Sequence, residues 1–66
     1  MQIILNGESR DVAPGTTVEQ LVEQLNLTGR RLAVEVDREI VSRSAYAETV
    51  LGEGARVEIV HAIGGG

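Results

Sequence analysis

The order of segments in this 66-residue chain predicts an α+β fold, a mixed sheet of four to five strands wrapped on one main helix. Three observations carry that expectation. Asn6-Gly7 separates two short strand-like runs, Val18, Leu21, Val22 and Leu25 recur at helical spacing, and an alternating run from Arg56 to Ile63 leads directly into Gly64-Gly65-Gly66. A chain this short buries only about 60% of its unfolded surface, so its core is a single layer deep and leaves little room for an enclosed substrate pocket.

Gln2-Ile3-Ile4-Leu5 is the first strand, built from residues that suit a pleated surface. Asn-Gly is the dipeptide preferred in a type I′ hairpin, because both of its positions adopt positive φ at low cost. The return strand, Glu8 to Val12, is polar enough to lie at a sheet edge. Ala13-Pro14-Gly15-Thr16 then makes a turn.

Thr17 and Gln20 have the spacing of a capping box, with Thr at the N-cap and Gln three residues on. The apolar positions 18, 21, 22 and 25 lie on one face of the helix, while Glu19, Gln20, Glu23 and Gln24 fill the wet face. The helix is expected to stop near Asn26, with Thr28-Gly29 beyond it as a breaker.

Leu32, Val34 and Val36 alternate as in a half-buried strand, Asp37-Arg38 forms a turn, and Glu39-Ile40-Val41 is a short return strand. Ser42 to Glu48 has no clear period and fits either a helical turn or an ordered loop; Tyr46 reads as a core or rim residue with its hydroxyl at water. Gly52-Glu53-Gly54 is the last turn before the closing strand. That strand sets Val57, Ile59, His61 and Ile63 on one face and Glu58, Val60 and Ala62 on the other.

One helix covers one face of a sheet, so the natural packing is the β-grasp, or ubiquitin-like, arrangement. Its first and last strands are neighbours, which places residues 64–66, a flexible glycine tail, at the end of a central strand of a domain spanning residues 1–63. The uncovered face then carries Ile4 and Val60, which with Ile63 form a candidate docking patch beside the tail. Scattered exposed apolar residues are also ordinary.

The composition excludes several chemistries. Ten acidic residues against six cations give a formal charge of −4, unsuited to a nucleic-acid backbone and suited to a partner with a basic surface. There is no Cys, so no disulfide framework, thiolate nucleophile or Cys-containing zinc site, and a single His, His61, cannot build a His-rich metal site; no metal is expected. All six cations are Arg (Arg10, Arg30, Arg31, Arg38, Arg43, Arg56), which stays protonated and is a poor nucleophile. His61 lacks the nucleophile-elbow motif that a hydrolytic triad would need, and Glu35, Asp37 and Glu39 read as solvated hairpin charges. With no apolar run near the 18 or so residues of a membrane span and no basic leader, the expectation is a soluble, cytoplasmic protein.

What remains is the main-chain carboxylate of Gly66. Three glycines carry no side chains, so they can enter a narrow partner channel, reaching roughly 10 Å at about 3.3–3.6 Å per residue. A carboxylate becomes reactive only when its oxygen is made a leaving group, as adenylation by a partner using ATP would do. No thiol or lysine amine on the same chain would intercept it. The bland readings are a frayed terminus or a linker scar.

Ile4-Leu5-Asn6-Gly7-Glu8, Ala33 to Arg43, Tyr46-Ala47-Glu48-Thr49 and Val57-Glu58-Ile59-Val60 leading to Gly64-Gly65-Gly66 together resemble the ThiS family of sulfur carriers of thiamine thiazole biosynthesis. The resemblance covers essentially the whole chain. The family pattern often reads Val-Asn-x-x-x-Val-Pro-Arg; this chain has Asp37 in place of the Asn and Ser42 in place of the Pro. The resemblance implies a carrier that is not itself an enzyme and binds no cofactor. An adenylyltransferase of the ThiF type would spend ATP to activate Gly66. A cysteine desulfurase or other sulfurtransferase would convert it to a thiocarboxylate, and thiazole synthase would take the sulfur, with Gly64 and Gly65 threaded into the partners. The competing functions are sulfur delivery to molybdopterin or another metabolite, a ubiquitin-like conjugating modifier, and an inert binding domain.

Overall fold

The computed structural model describes residues 1–61, which form β1 (Gln2–Leu5), β2 (Glu8–Asp11), α1 (Val18–Gln24), β3 (Leu32–Val36), β4 (Glu39–Val41), a 3-10 helix (Arg43–Glu48) and β5 (Arg56–His61). The five strands make one mixed sheet in the order β2-β1-β5-β3-β4. This is the expected β-grasp, with β5 central and parallel to β1, and β2 at an edge.

Two tight turns set the registers. Asn6 and Gly7 take φ of 49° and 83°, the two positive values of a type I′ turn, and pair Leu5 with Glu8. Asp37 and Arg38 take 50° and 72° and pair Val36 with Glu39. The second turn is the less obvious one, since Arg is a branchless but Cβ-bearing residue in a region that costs it about 1–2 kcal/mol. The family's Asn and this chain's Asp37 belong to the small set that tolerates that region, so the substitution leaves the turn intact. Ser42 sits at φ −73°, a value proline also fixes, so the second departure from the family pattern keeps the backbone path as well.

Helix α1 starts as its sequence requires. The Thr17 hydroxyl accepts from the Gln20 N–H at 3.1 Å, and the Gln20 side chain accepts from the Thr17 N–H at 3.0 Å, so both halves of the capping box are made. Leu25 caps the far end, with its N–H on the Leu21 and Glu23 carbonyls, one residue before the predicted stop.

The core lies between α1 and one face of the sheet. Ile3, Val18, Leu21, Val34 and Val57 are wholly buried, joined by Val22, Leu51, Ala55, Ile59 and Tyr46. Ile3, Val34 and Val57 come from three adjacent strands, β1, β3 and β5, so the helix sits over the middle of the sheet. Within Ser42 to Glu48, which fits either a helical turn or a loop in sequence, Arg43–Glu48 is the 3-10 helix, and it carries Tyr46 into the core's rim.

Candidate functional site at the end of the central strand

The open face of the sheet is the surface the helix leaves uncovered. Its register can be read across the strands: Ala33 opposes Val60, and Glu58 opposes Glu35, which in turn opposes Ile40. Ile4 opposes Arg56 in the parallel pair. Val60 is 61% exposed and Ile40 81%, whereas Ile4 is half-buried. Ile4 and Val60 therefore share a face as the sequence predicts, separated along β5, and Ala33 and Ile40 extend the apolar surface across β3 and β4. Ile63, Gly64, Gly65 and Gly66 lie outside the described residues.

Two carboxylates stand side by side in the centre of this face. Glu35 and Glu58 are directly opposite on neighbouring strands, a like-charge arrangement that is unfavourable in a sheet. They line a groove of about 170 Å³ with Ile4, Arg38 and Arg56, yet neither Arg comes within ion-pair distance of them. Among the described residues the one ion pair joins the Met1 amino group to Asp11 at 3.3 Å. The groove thus holds two carboxylates and two guanidinium groups not paired with one another, beside the exposed Val60 and Ile40.

The opposite face of β5 ends differently. His61 is exposed and borders a groove with Leu5, Asn6, Leu25, Leu27 and Ile59. It pairs in register with Leu32, and its neighbours supply neither a carboxylate nor a hydroxyl nucleophile. This is the surface histidine the sequence suggests. No group of three or more His, Cys, Asp or Glu among the described residues could hold a metal, and no helix there is long and apolar enough to cross a membrane.

The backbone of β5 is gripped from both sides by turn residues. The Asp37 carboxylate accepts from the Arg56 N–H at 3.0 Å, while the Asp37 N–H donates to the Arg56 carbonyl at 2.8 Å. From sequence Asp37 is expected to be a solvated hairpin charge; its carboxylate instead anchors the start of the central strand. On the other side, the Asn6 side chain bonds both main-chain groups of Ile59. Neither role is visible in a turn dipeptide, because the partners lie 19 and 53 residues away.

The comparisons with known proteins agree with this geometry. The model of the ThiS family matches residues 3–66. Two thiazole synthases, from Paramagnetospirillum magneticum and Magnetococcus marinus, are 42% and 44% identical to the whole chain, which spans only 20% of the length of each. The sulfur carrier protein ThiS of Escherichia coli is 32% identical, with both chains covered completely. The crystal structure of the thiamine biosynthesis protein ThiS from Geobacter metallireducens superposes with a TM-score of 0.85 at 29% identity, again over all of both chains.

Proposed function

The chain belongs to the ThiS family as a sulfur carrier of thiamine biosynthesis, and from that premise we propose that the sulfur is carried on the carboxylate of Gly66. The observation that supports this most directly is the match over the whole of both chains with the sulfur carrier protein ThiS of Escherichia coli. The chain's own part is to present a carboxylate; activation and transfer belong to partner enzymes in the cytoplasm, so the carrier is a co-substrate and not a catalyst.

Each step conserves atoms. A carboxylate oxygen of Gly66 attacks the α-phosphorus of ATP in a ThiF-type adenylyltransferase, forming an acyl adenylate and releasing pyrophosphate. The terminal sulfur of a persulfide, delivered by a cysteine desulfurase or sulfurtransferase, attacks the acyl carbon and AMP leaves; a second thiol then cleaves the resulting acyl disulfide, forming a disulfide with the donor cysteine and releasing the thiocarboxylate. AMP is the better leaving group because its charge is delocalised over the phosphate, whereas a free carboxylate would have to expel oxide. The thiocarboxylate then gives its sulfur to a thiazole synthase, a partner suggested by the two longer relatives of that name. Gly64 and Gly65 would pass through the partners' channels, since nothing projects from their backbone. Ile4, Val60 and Ile63 would meet the surface around the channel mouth.

Intact-mass measurement tests this reading. After incubation with the adenylyltransferase, ATP and a sulfur donor, the native chain should gain the mass difference between sulfur and oxygen. A chain lacking Gly66 should not, although it folds. Sulfur transfer from the shortened chain, or no mass gain by the native chain with an enzyme active on its own carrier, would refute the proposal.

A further inference from the structure

β1 stops at Leu5 while β5 runs on to His61, so beyond Val57 one side of β5 has no strand beside it. Asn6 fills that gap. Its main-chain N–H donates to the Val57 carbonyl at 2.9 Å, continuing the parallel ladder by one bond. The backbone then turns away into the hairpin, with φ of 49° at Asn6. From there the side chain carries the ladder forward: Oδ1 accepts from the Ile59 N–H at 2.9 Å, and Nδ2 donates to the Ile59 carbonyl at 3.3 Å. A carboxamide offers the same donor and acceptor as a peptide group, so Asn6 stands in for the next residue of a longer β1.

Other residue types would not reproduce this. Asp would keep the acceptor but set a second carboxylate oxygen against the Ile59 carbonyl. Gln is a methylene longer and less at ease at positive φ, and Ser cannot reach both groups. Position 6 thus needs Asn for two unrelated reasons, the turn and the bridge.

We propose that Asn6 is a positioning residue for sulfur loading: its carboxamide fixes both main-chain polar groups of Ile59, and so sets the point and direction from which the segment bearing Gly66 leaves the fold. The proposal rests on the reading of Gly66 as the reacting end. It follows from geometry, because among the described residues the one strand paired with β5 past Val57 is β3, which sets Val34, Ala33 and Leu32 against Ile59, Val60 and His61. With one side released, the strand end can swing about the β3 edge. The body's docking surface is untouched, so the loss belongs in turnover and not in affinity.

The test is ATP–pyrophosphate exchange by a ThiF-type adenylyltransferase with the carrier as varied substrate, run on the native chain, Asn6→Ala, Asn6→Asp and Val12→Ala. Val12 is buried at the opposite end of the hairpin, its N–H on the Met1 carbonyl, so its truncation destabilises the fold without touching the exit of β5. Hydrogen exchange at the Ile59 amide is read in the same samples, at a temperature where circular dichroism shows each one folded. Asn6→Ala should speed Ile59 exchange by about tenfold or more and lower kcat by about threefold or more, with KM within about twofold. Val12→Ala should leave kcat unchanged. Asn6→Asp tolerates the turn and keeps one of the two bonds, so it should fall between native and Asn6→Ala in both readouts; it carries the comparison if Asn6→Ala does not fold. A kcat for the Asn6 variants equal to that of Val12→Ala, or a loss confined to KM, would overturn the proposal. A native chain that supports no exchange would overturn the Gly66 reading beneath it, and the proposal with it.

Discussion

Replacing Leu21 by Ala tests whether the core is organised as described. Leu21 is wholly buried in the middle of α1, between the helix and the sheet. Truncation removes three aliphatic carbons, and at about 0.8 kcal/mol each the transfer loss alone is about 2.4 kcal/mol. A residual cavity of about 50 Å³ would add about 1.2 kcal/mol at 24 cal/mol per Å³, giving about 3.6 kcal/mol, inside the range of about 2–5 kcal/mol seen for such changes. At roughly 0.05–0.15 kcal/mol per residue, a domain of this length holds about 3–10 kcal/mol in all. The mutant should therefore keep at best a fraction of the native stability, and Tm should fall by about 15–25 °C. Urea unfolding followed by far-ultraviolet circular dichroism gives the difference directly. Tyr46, the one aromatic residue and itself buried against the core, supplies a second probe by fluorescence. Coincident transitions by both probes would justify the two-state treatment. A loss below about 1 kcal/mol with unchanged m would show that the helix does not cover the sheet in the way its burial implies.

Four further changes probe single features. Thr17→Ala removes the acceptor of the capping box and should cost about 1 kcal/mol by urea unfolding; no measurable loss would mean that the cap is idle in solution. Arg38→Gly relieves a side chain at φ 72° and should raise stability by about 1 kcal/mol, provided Asp37 still holds Arg56; a lower Tm would count against the turn assignment. Glu58→Lys turns the cross-strand repulsion with Glu35 into attraction and should stabilise by about 0.2–1 kcal/mol at low salt, a gain that shrinks as sodium chloride is added. Val60→Asp, at a position 61% exposed, should leave Tm within about 3 °C while raising KM for the adenylyltransferase. An unchanged KM would remove Val60 from the docking surface.

Much of the fold was legible in local pattern. The spacing of Val18, Leu21 and Val22 fixed a helix and its buried side, Thr17 and Gln20 fixed its first turn, and Asn6-Gly7 fixed a hairpin with its register. Each of these rests on interactions within a few residues, where the chain's own stereochemistry leaves few alternatives. The glycine ending was equally plain, because a missing side chain needs no neighbours to be recognised. The apolar surface of the open face was legible only in part: alternation puts Val60 on that face, but the placing of Ala33 and Ile40 beside it depends on which strands β5 and β3 choose as partners. What the tertiary structure alone decided is the treatment of β5 by distant residues. Asn6 and Asp37 are, from sequence, two turn formers of the same kind. Pairing β5 between β1 and β3 brings the first against Ile59 and the second against Arg56, turning two local conformational preferences into hydrogen bonds that hold the central strand at either end. Such bonds depend on strand order, and strand order is set by how the single helix can cover one sheet, a property of the whole chain and of no segment within it.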